Sequence, residues 1–233
     1  MKVYPINQIR NLALLGNSGS GKTTLIRKFT AELPAAKFLT LYLSDSKLTP
    51  RHFYKGLLEQ LGGEPKFYRG DAKRQLHKEI ELLRIVHKKL PVVIVDEAHL
   101  LDREMLEEVR FLLNYRMDSF SPMALILAGQ SELWERLKLN AFAAIRQRID
   151  IKCELHAFDR AALESYIRSH LAFAGTVAEI FTEKAFDEIY NYSMGSARLT
   201  NKACTHCLML AAQQGRKIVD DYLVRDVIDG ELP

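Results

Sequence analysis

Residues 16–23 read Gly16-Asn17-Ser18-Gly19-Ser20-Gly21-Lys22-Thr23, the pattern G-x-x-x-x-G-K-[ST]. Glycines let consecutive backbone N–H groups turn inward around an anion. A helix opening at Gly21 aims its positive N-terminal end at the same point. Lys22 is placed to bridge the β- and γ-phosphates of a nucleoside triphosphate, and the Thr23 hydroxyl to ligate Mg2+. The run Gly16 to Thr24 is therefore the expected nucleotide-binding segment. The apolar stretch Leu12–Leu15 precedes it and an amphipathic stretch follows, the strand–loop–helix context that the pattern needs. Without a ligand the same residues would make only a glycine-rich turn.

Working outward, short apolar runs alternate with amphipathic ones. Leu12–Leu15, Phe38–Leu43, Val92–Val95 and Met123–Ala128 read as buried parallel strands, and Asp150–Leu155 as a last one. Leu76, Ile80, Leu83 and Val86 recur at helical spacing within Asp71–Leu90, and Met105, Leu106, Val109, Leu112 and Leu113 within Arg103–Met117. The alternation predicts an α/β fold: a five-stranded parallel sheet flanked by helices. Past residue 155 only helices are expected, with Asp159 as an N-cap, Thr182 opening a second helix, and further helices over Gly195–Gln214 and Asp220–Ile228. The predicted division is a nucleotide-binding core over 1–154 and a small all-α lid over 155–233.

The third strand ends in Val95-Asp96-Glu97-Ala98-His99. Asp96 is assigned to Mg2+ and Glu97 to the base that polarises the attacking water. As plain surface acids the pair would cap the next helix. The letters DEAH also suit a helicase, but 233 residues with a helical second part cannot hold two tandem ATPase-like domains. His99 is expected to pack or hydrogen-bond locally.

These motifs, in this order, resemble an AAA+ ATPase, a P-loop NTPase. The resemblance implies that Gln130, after Met123–Ala128, is the sensor 1 residue orienting the water. It implies that Arg148, or else Arg146, in Ile145-Arg146-Gln147-Arg148-Ile149 is an arginine finger reaching a neighbouring subunit. It also implies that Arg198 in Gly195-Ser196-Ala197-Arg198 is sensor 2. Val95–Leu101, Leu125–Gln130, Ile145–Ile149 and Arg116-Met117-Asp118-Ser119 look like the ExeA-like (ORC/DEAH-type) branch, similar to the transposon-encoded TniB, TnsC and MuB transposition regulators. That resemblance implies ATP and Mg2+ as ligands, a ring or helical self-assembly, duplex DNA and a transposase as partners. Such proteins usually cover the adenine with an aromatic-rich segment before the first strand. Here Tyr4-Pro5-Ile6 stands there without that motif.

Composition fits a soluble globular protein: 48% hydrophobic, 27% charged, net charge +4. Residues 1–150 carry 24 Lys/Arg against 17 Asp/Glu, and residues 151–233 carry 9 against 12. The basic first part points to an anionic partner. Lys66–Lys89 holds eight basic residues against three acidic. In the resembled DNA-binding members this region lines the inner face of the assembly, so Lys47, Arg51, Lys66, Arg69, Lys73 and Arg74 are candidate phosphate contacts, with Phe67 or Tyr68 against sugar. The plainer reading is a solvated helix face. Nothing in the sequence reads bases. Cys204 and Cys207 lack the further ligands that zinc requires and read as small buried residues. No apolar run reaches the ~18–20 residues that span a bilayer, and the N-terminus shows no signal-peptide pattern, so a bacterial cytoplasmic setting is expected.

Overall fold

The computed structural model describes residues 11–45, 48–113, 123–176 and 178–232. Lys47, Tyr4–Ile6 and Arg116–Ser119, singled out above, lie outside them. In chain order the elements are β1 (Asn11–Gly16), α1 (Lys22–Glu32), β2 (Phe38–Leu43), α2 (Pro50–Gln60), α3 (Arg69–Ile85), β3 (Leu90–Val95), α4 (Arg103–Leu113), β4 (Ala124–Gly129), α5 (Ser131–Lys138), α6 (Ala143–Arg146) and β5 (Ile151–Leu155). Then come α7 (Arg160–Phe173), α8 (Glu183–Ser193), α9 (Ala197–Gln213) and α10 (Asp221–Glu231).

All five strands are parallel, in the order β2-β3-β4-β1-β5. The ends of β1, β3 and β4 therefore emerge along one edge of the sheet, where open α/β sheets bind ligands. Strand alternation divides the core. Leu15, Leu41, Val93, Val95, Leu125 and Leu127 face α2 to α6, with Phe53, Tyr54, Leu57 and Leu58 of α2 fully buried among them. Leu14, Val92, Ile94 and Ile126 face the other way with Ile26 of α1.

Two compact units result. One comprises the residues up to Gly16 together with Lys22–Leu155, and the other His156–Pro233 together with the loop Asn17–Gly21. The second unit has its own core of Leu163, Ile167, Phe186, Ile189, Ala203, Cys207, Val224 and Val227. Its helices start where local chemistry dictates. The side chains of Asp159, Thr182 and Asp220 accept hydrogen bonds from the N–H groups of Ala162, Ala185 and Leu223, each cap worth about 1 kcal/mol.

Two differences from the periodicity are informative. α3 stops at Ile85 rather than Leu90, because Lys88 turns at φ +52° and Leu90 already belongs to β3. The other is α2, a further helix before α3 that Thr49 caps and Pro50 opens.

Candidate nucleotide site

The loop after β1 turns at two left-handed glycines, Gly19 (φ +78°) and Gly21 (φ +92°). The buried Lys22 side chain reaches back to the end of β1 and donates from Nζ to the Gly16 carbonyl at 2.6 Å. The Ser20 hydroxyl is shielded from solvent without a hydrogen-bond partner. Its donor is thus held inside the loop.

The second half of the site comes from β3. Asp96 is 3% exposed. Its Oδ2 accepts from Thr23 Oγ1 at 3.1 Å and from the Tyr42 hydroxyl at 2.8 Å, while Oδ1 accepts from the Glu97 N–H at 2.8 Å. Burial first, then the Asp96 carboxylate, pushes the Tyr42 phenol up to about 12, so it remains a donor at neutral pH. A hydroxyl and a carboxylate oxygen this close are hard-oxygen donors suited to Mg2+, which takes few protein ligands and keeps its remaining positions for water and phosphate. Thr23 and Asp96 would hold it. Glu97 follows in a left-handed turn (φ +51°) that is uncommon outside glycine, and its side chain is 45% exposed.

The AAA domain family matches residues 7–137, a span that contains the loop, Asp96, Glu97 and Gln130. The chain belongs to the AAA domain family. General secretion pathway protein A of Aeromonas hydrophila is 31% identical over 211 residues, covering 88% of this chain and 38% of that protein. The chain thus spans under two-fifths of the length of that relative. Among solved structures, Drosophila ORC bound to DNA superposes with a TM-score of 0.68 at 22% identity (94% of this chain, 55% of that chain). Cdc6p of Pyrobaculum aerophilum gives 0.69 at 18% (90% and 57%), and the RuvB Holliday junction branch migration motor of Thermotoga maritima 0.63 at 17% (94% and 61%). These likenesses show the ATPase-type fold, and family membership makes the chain a nucleotide-binding protein.

In this AAA domain Gln130 follows β4, and its Nε2 lies 3.0 Å from Nε2 of His99. Nδ1 of that histidine is 3.4 Å from Glu97 Oε2. The two arginines before β5 are tied locally. Arg146 Nη1 donates to the Lys138 carbonyl at 2.7 Å, at the C-terminal end of α5, and Arg148 Nη1 donates to the Ala144 carbonyl at 2.8 Å. Asn11 Nδ2 donates to the Arg148 carbonyl at 2.7 Å and so anchors that segment to the start of β1. Within the second unit, the Arg198 N–H donates to the Gly19 carbonyl and its Nη1 to Ser18 Oγ, both at 3.3 Å. Gly195, three residues earlier, cannot be replaced without strain. It has φ +77°, and a Cβ there would stand 2.0 Å from the Phe158 carbonyl oxygen.

The candidate DNA contacts divide. Arg69 pairs with Glu104 and Glu108, Lys73 with Glu108 at 3.5 Å, and Arg74 with Asp71. Each of these three cations therefore faces a neighbouring carboxylate. Arg51 and Lys66 are exposed. The Arg51 guanidinium lies 4.4 Å from the ring centroid of Phe67, which meets Tyr68 edge to face, and both rings are about 70% exposed.

Sequence reasoning missed Tyr42, His99 as a bridge, and Asn11. The alternation of β2 carries a faint signal for Tyr42, a polar-tipped residue one position before the strand end. Cys207 is buried, and burial pushes the Cys204 thiol up to about 12. It is therefore protonated at neutral pH.

Proposed function

We propose that this AAA domain binds ATP with Mg2+ and hydrolyses it. The observation that carries the reading is the convergence of Lys22, Thr23 and Asp96, with Glu97 next in chain, where β1 and β3 end. Gly16 to Thr24 wrap the phosphates, and Lys22 offsets their charge. Thr23 and Asp96 would hold Mg2+, which would supply positive charge to offset that of the phosphates. Glu97 takes the proton of the attacking water and Gln130 orients that water. Arg198 touches the γ-phosphate. Arg148, with Arg146 as second candidate, reaches the site of a neighbouring copy in a ring or helical assembly, so an isolated copy turns over slowly.

We further propose that turnover is coupled to nonspecific assembly on duplex DNA, as in a transposition regulator acting beside a transposase in the bacterial cytoplasm. The basic surplus of residues 1–150 and the exposed Arg51, Lys66, Phe67 and Tyr68 support this. The 31% identity to General secretion pathway protein A favours a second reading, an assembly ATPase acting on protein. A third is a nucleotide-dependent scaffold.

The test is steady-state ATP hydrolysis with and without duplex DNA at about 50 and 200 mM salt, since backbone binding weakens steeply over that range. DNA stimulation at low salt that fades at high salt is expected. Turnover indifferent to DNA at low salt moves the protein to the second reading. Nucleotide binding without turnover moves it to the third.

A further inference from the structure

His99 follows the two carboxylates, and the chemistry above leaves it without a task. Its surroundings nevertheless hold it on several sides. Its side chain is 11% exposed. Arg136 Nη1, from α5, donates to its carbonyl at 2.8 Å. The end of β4 lies directly against it: a Cβ on Gly129 would come within 3.0 Å of the His99 backbone nitrogen and 3.5 Å of its Cβ.

The imidazole has two different neighbours. Nε2 is 3.0 Å from the Gln130 amide nitrogen. An amide nitrogen only donates, so Nε2 accepts and the ring proton sits on Nδ1. Nδ1 is shielded from solvent, has no hydrogen-bond partner, and stands 3.4 Å from Glu97 Oε2. The two atoms are within reach but off line, so the bond is not made in this conformation. A small rotation and shift of the half-exposed Glu97 carboxylate aligns and shortens it, and catalytic hydrogen bonds often tighten in this way when substrate binds.

We infer that His99 is a positioning residue that ties the Glu97 carboxylate to the Gln130 amide. Glu97 and Gln130 then act as one unit: the group that takes the water's proton and the group that orients the water are held in fixed relation by the ring between them. One carboxylate oxygen of Glu97 is engaged by Nδ1–H, which leaves the other for the water. A side chain on a left-handed turn with nearly half its surface in solvent needs such a restraint, because misplacing a reacting group is costly in rate. The inference rests on the roles proposed for Glu97 and Gln130.

The test compares His99→Phe, His99→Asn and His99→Gln with the parent and with Glu97→Gln, reading fluorescent ATP-analogue affinity, KM and kcat. Asn places an amide donor where Nδ1 stands, and Gln places its amide near Nε2 without a donor toward Glu97. His99→Phe is expected to keep nucleotide affinity and KM within about threefold and to lose kcat by roughly 30- to 100-fold, a loss confined to the chemical step. His99→Asn is expected to recover about a tenth or more of parental kcat and His99→Gln not to, because only the former restores the donor to Glu97.

His99→Phe turning over within about twofold of the parent, while Glu97→Gln is inactive, overturns the positioning role and leaves the ATPase reading intact. Parental turnover by Glu97→Gln overturns the catalytic assignment and the inference with it, as does a parent that binds ATP without hydrolysing it. If His99→Phe does not fold, equal kcat for the Asn and Gln variants overturns the inference.

Discussion

Asp96 is held by three hydrogen bonds where β3 ends. One carboxylate oxygen accepts from both Thr23 and Tyr42, and the other is turned back to the Glu97 N–H. Lys22→Ala removes the cation at the end of β1, and its nucleotide Kd should rise by about a hundredfold or more in a fluorescence titration, the scale expected when a charged partner is lost from a phosphate site. Glu97→Gln leaves the loop intact, so it should bind nucleotide like the parent and lose turnover by roughly 10²–10⁴. Tyr42 offers a check on geometry that needs no nucleotide. Its phenol is pushed up to about 12, so the protonated form is favoured by folding. That contribution is complete below the ordinary tyrosine value near ~10 and is lost as pH rises through about 12. In an absorbance titration at high pH, Tyr42→Phe should remove a late phenolate step and leave the earlier steps of exposed tyrosines unchanged.

At the scale of elements, the helices between β2 and β3 are locked to α4 by one buried acid. Glu108 accepts from the fully buried Tyr54 of α2 and from Arg69 of α3, with Lys73 3.5 Å away. Burial pushes its carboxyl up, but the Tyr54 and Arg69 hydrogen bonds and the nearby Lys73 overcome this and hold it below the ordinary value. The stability it contributes is therefore present above the ordinary carboxylate range and lost as pH falls through the lower folded value. Glu108→Ala strands the Tyr54 hydroxyl and removes the acid shared by Arg69 and Lys73, and should cost about 3 kcal/mol in urea unfolding at neutral pH, with the difference from the parent shrinking under acid conditions. Gly195→Ala acts through the backbone. Its Cβ meets the Phe158 carbonyl at a left-handed φ, and the variant should lose roughly 2–4 kcal/mol.

At the scale of the whole molecule, the basic surplus of residues 1–150 is unevenly paired. Arg69, Lys73 and Arg74 balance acids of their own helices and of α4, whereas Arg51 and Lys66 are exposed beside two open aromatic rings. If duplex DNA is the partner, the Arg51→Ala/Lys66→Ala double variant should flatten the salt dependence of binding by about two contacts, near 0.9 per phosphate on a log–log plot. Arg69→Ala should instead lower the melting temperature and move the slope little, because its main debt is to Glu108. An unchanged slope in the double variant would remove this surface from the DNA reading.

The glycine-rich run from Gly16 to Thr23, the strand leading into Asp96, the cap at Asp159 and the helix starts at Thr182 and Asp220 were legible in the sequence. Each is a local pattern in which residue type and spacing state the chemistry, and the parallel α/β plan follows from the alternation around them. What only the tertiary structure decided are pairings across long stretches of chain. Tyr42 reaches Asp96 across 54 positions, Gln130 reaches His99 across 31, and Arg69 reaches Glu108 across 39. No periodicity encodes these: the first two arise when parallel strands distant in sequence end side by side, and the third when α3 packs against α4. The sequence by itself therefore determined the strand–loop–helix that carries Gly16 to Thr23 and the strand that leads into Asp96. The fold decided which side chains meet Asp96 and which basic residues face an acid, because burial and charge pairing depend on neighbours that only the folded chain supplies.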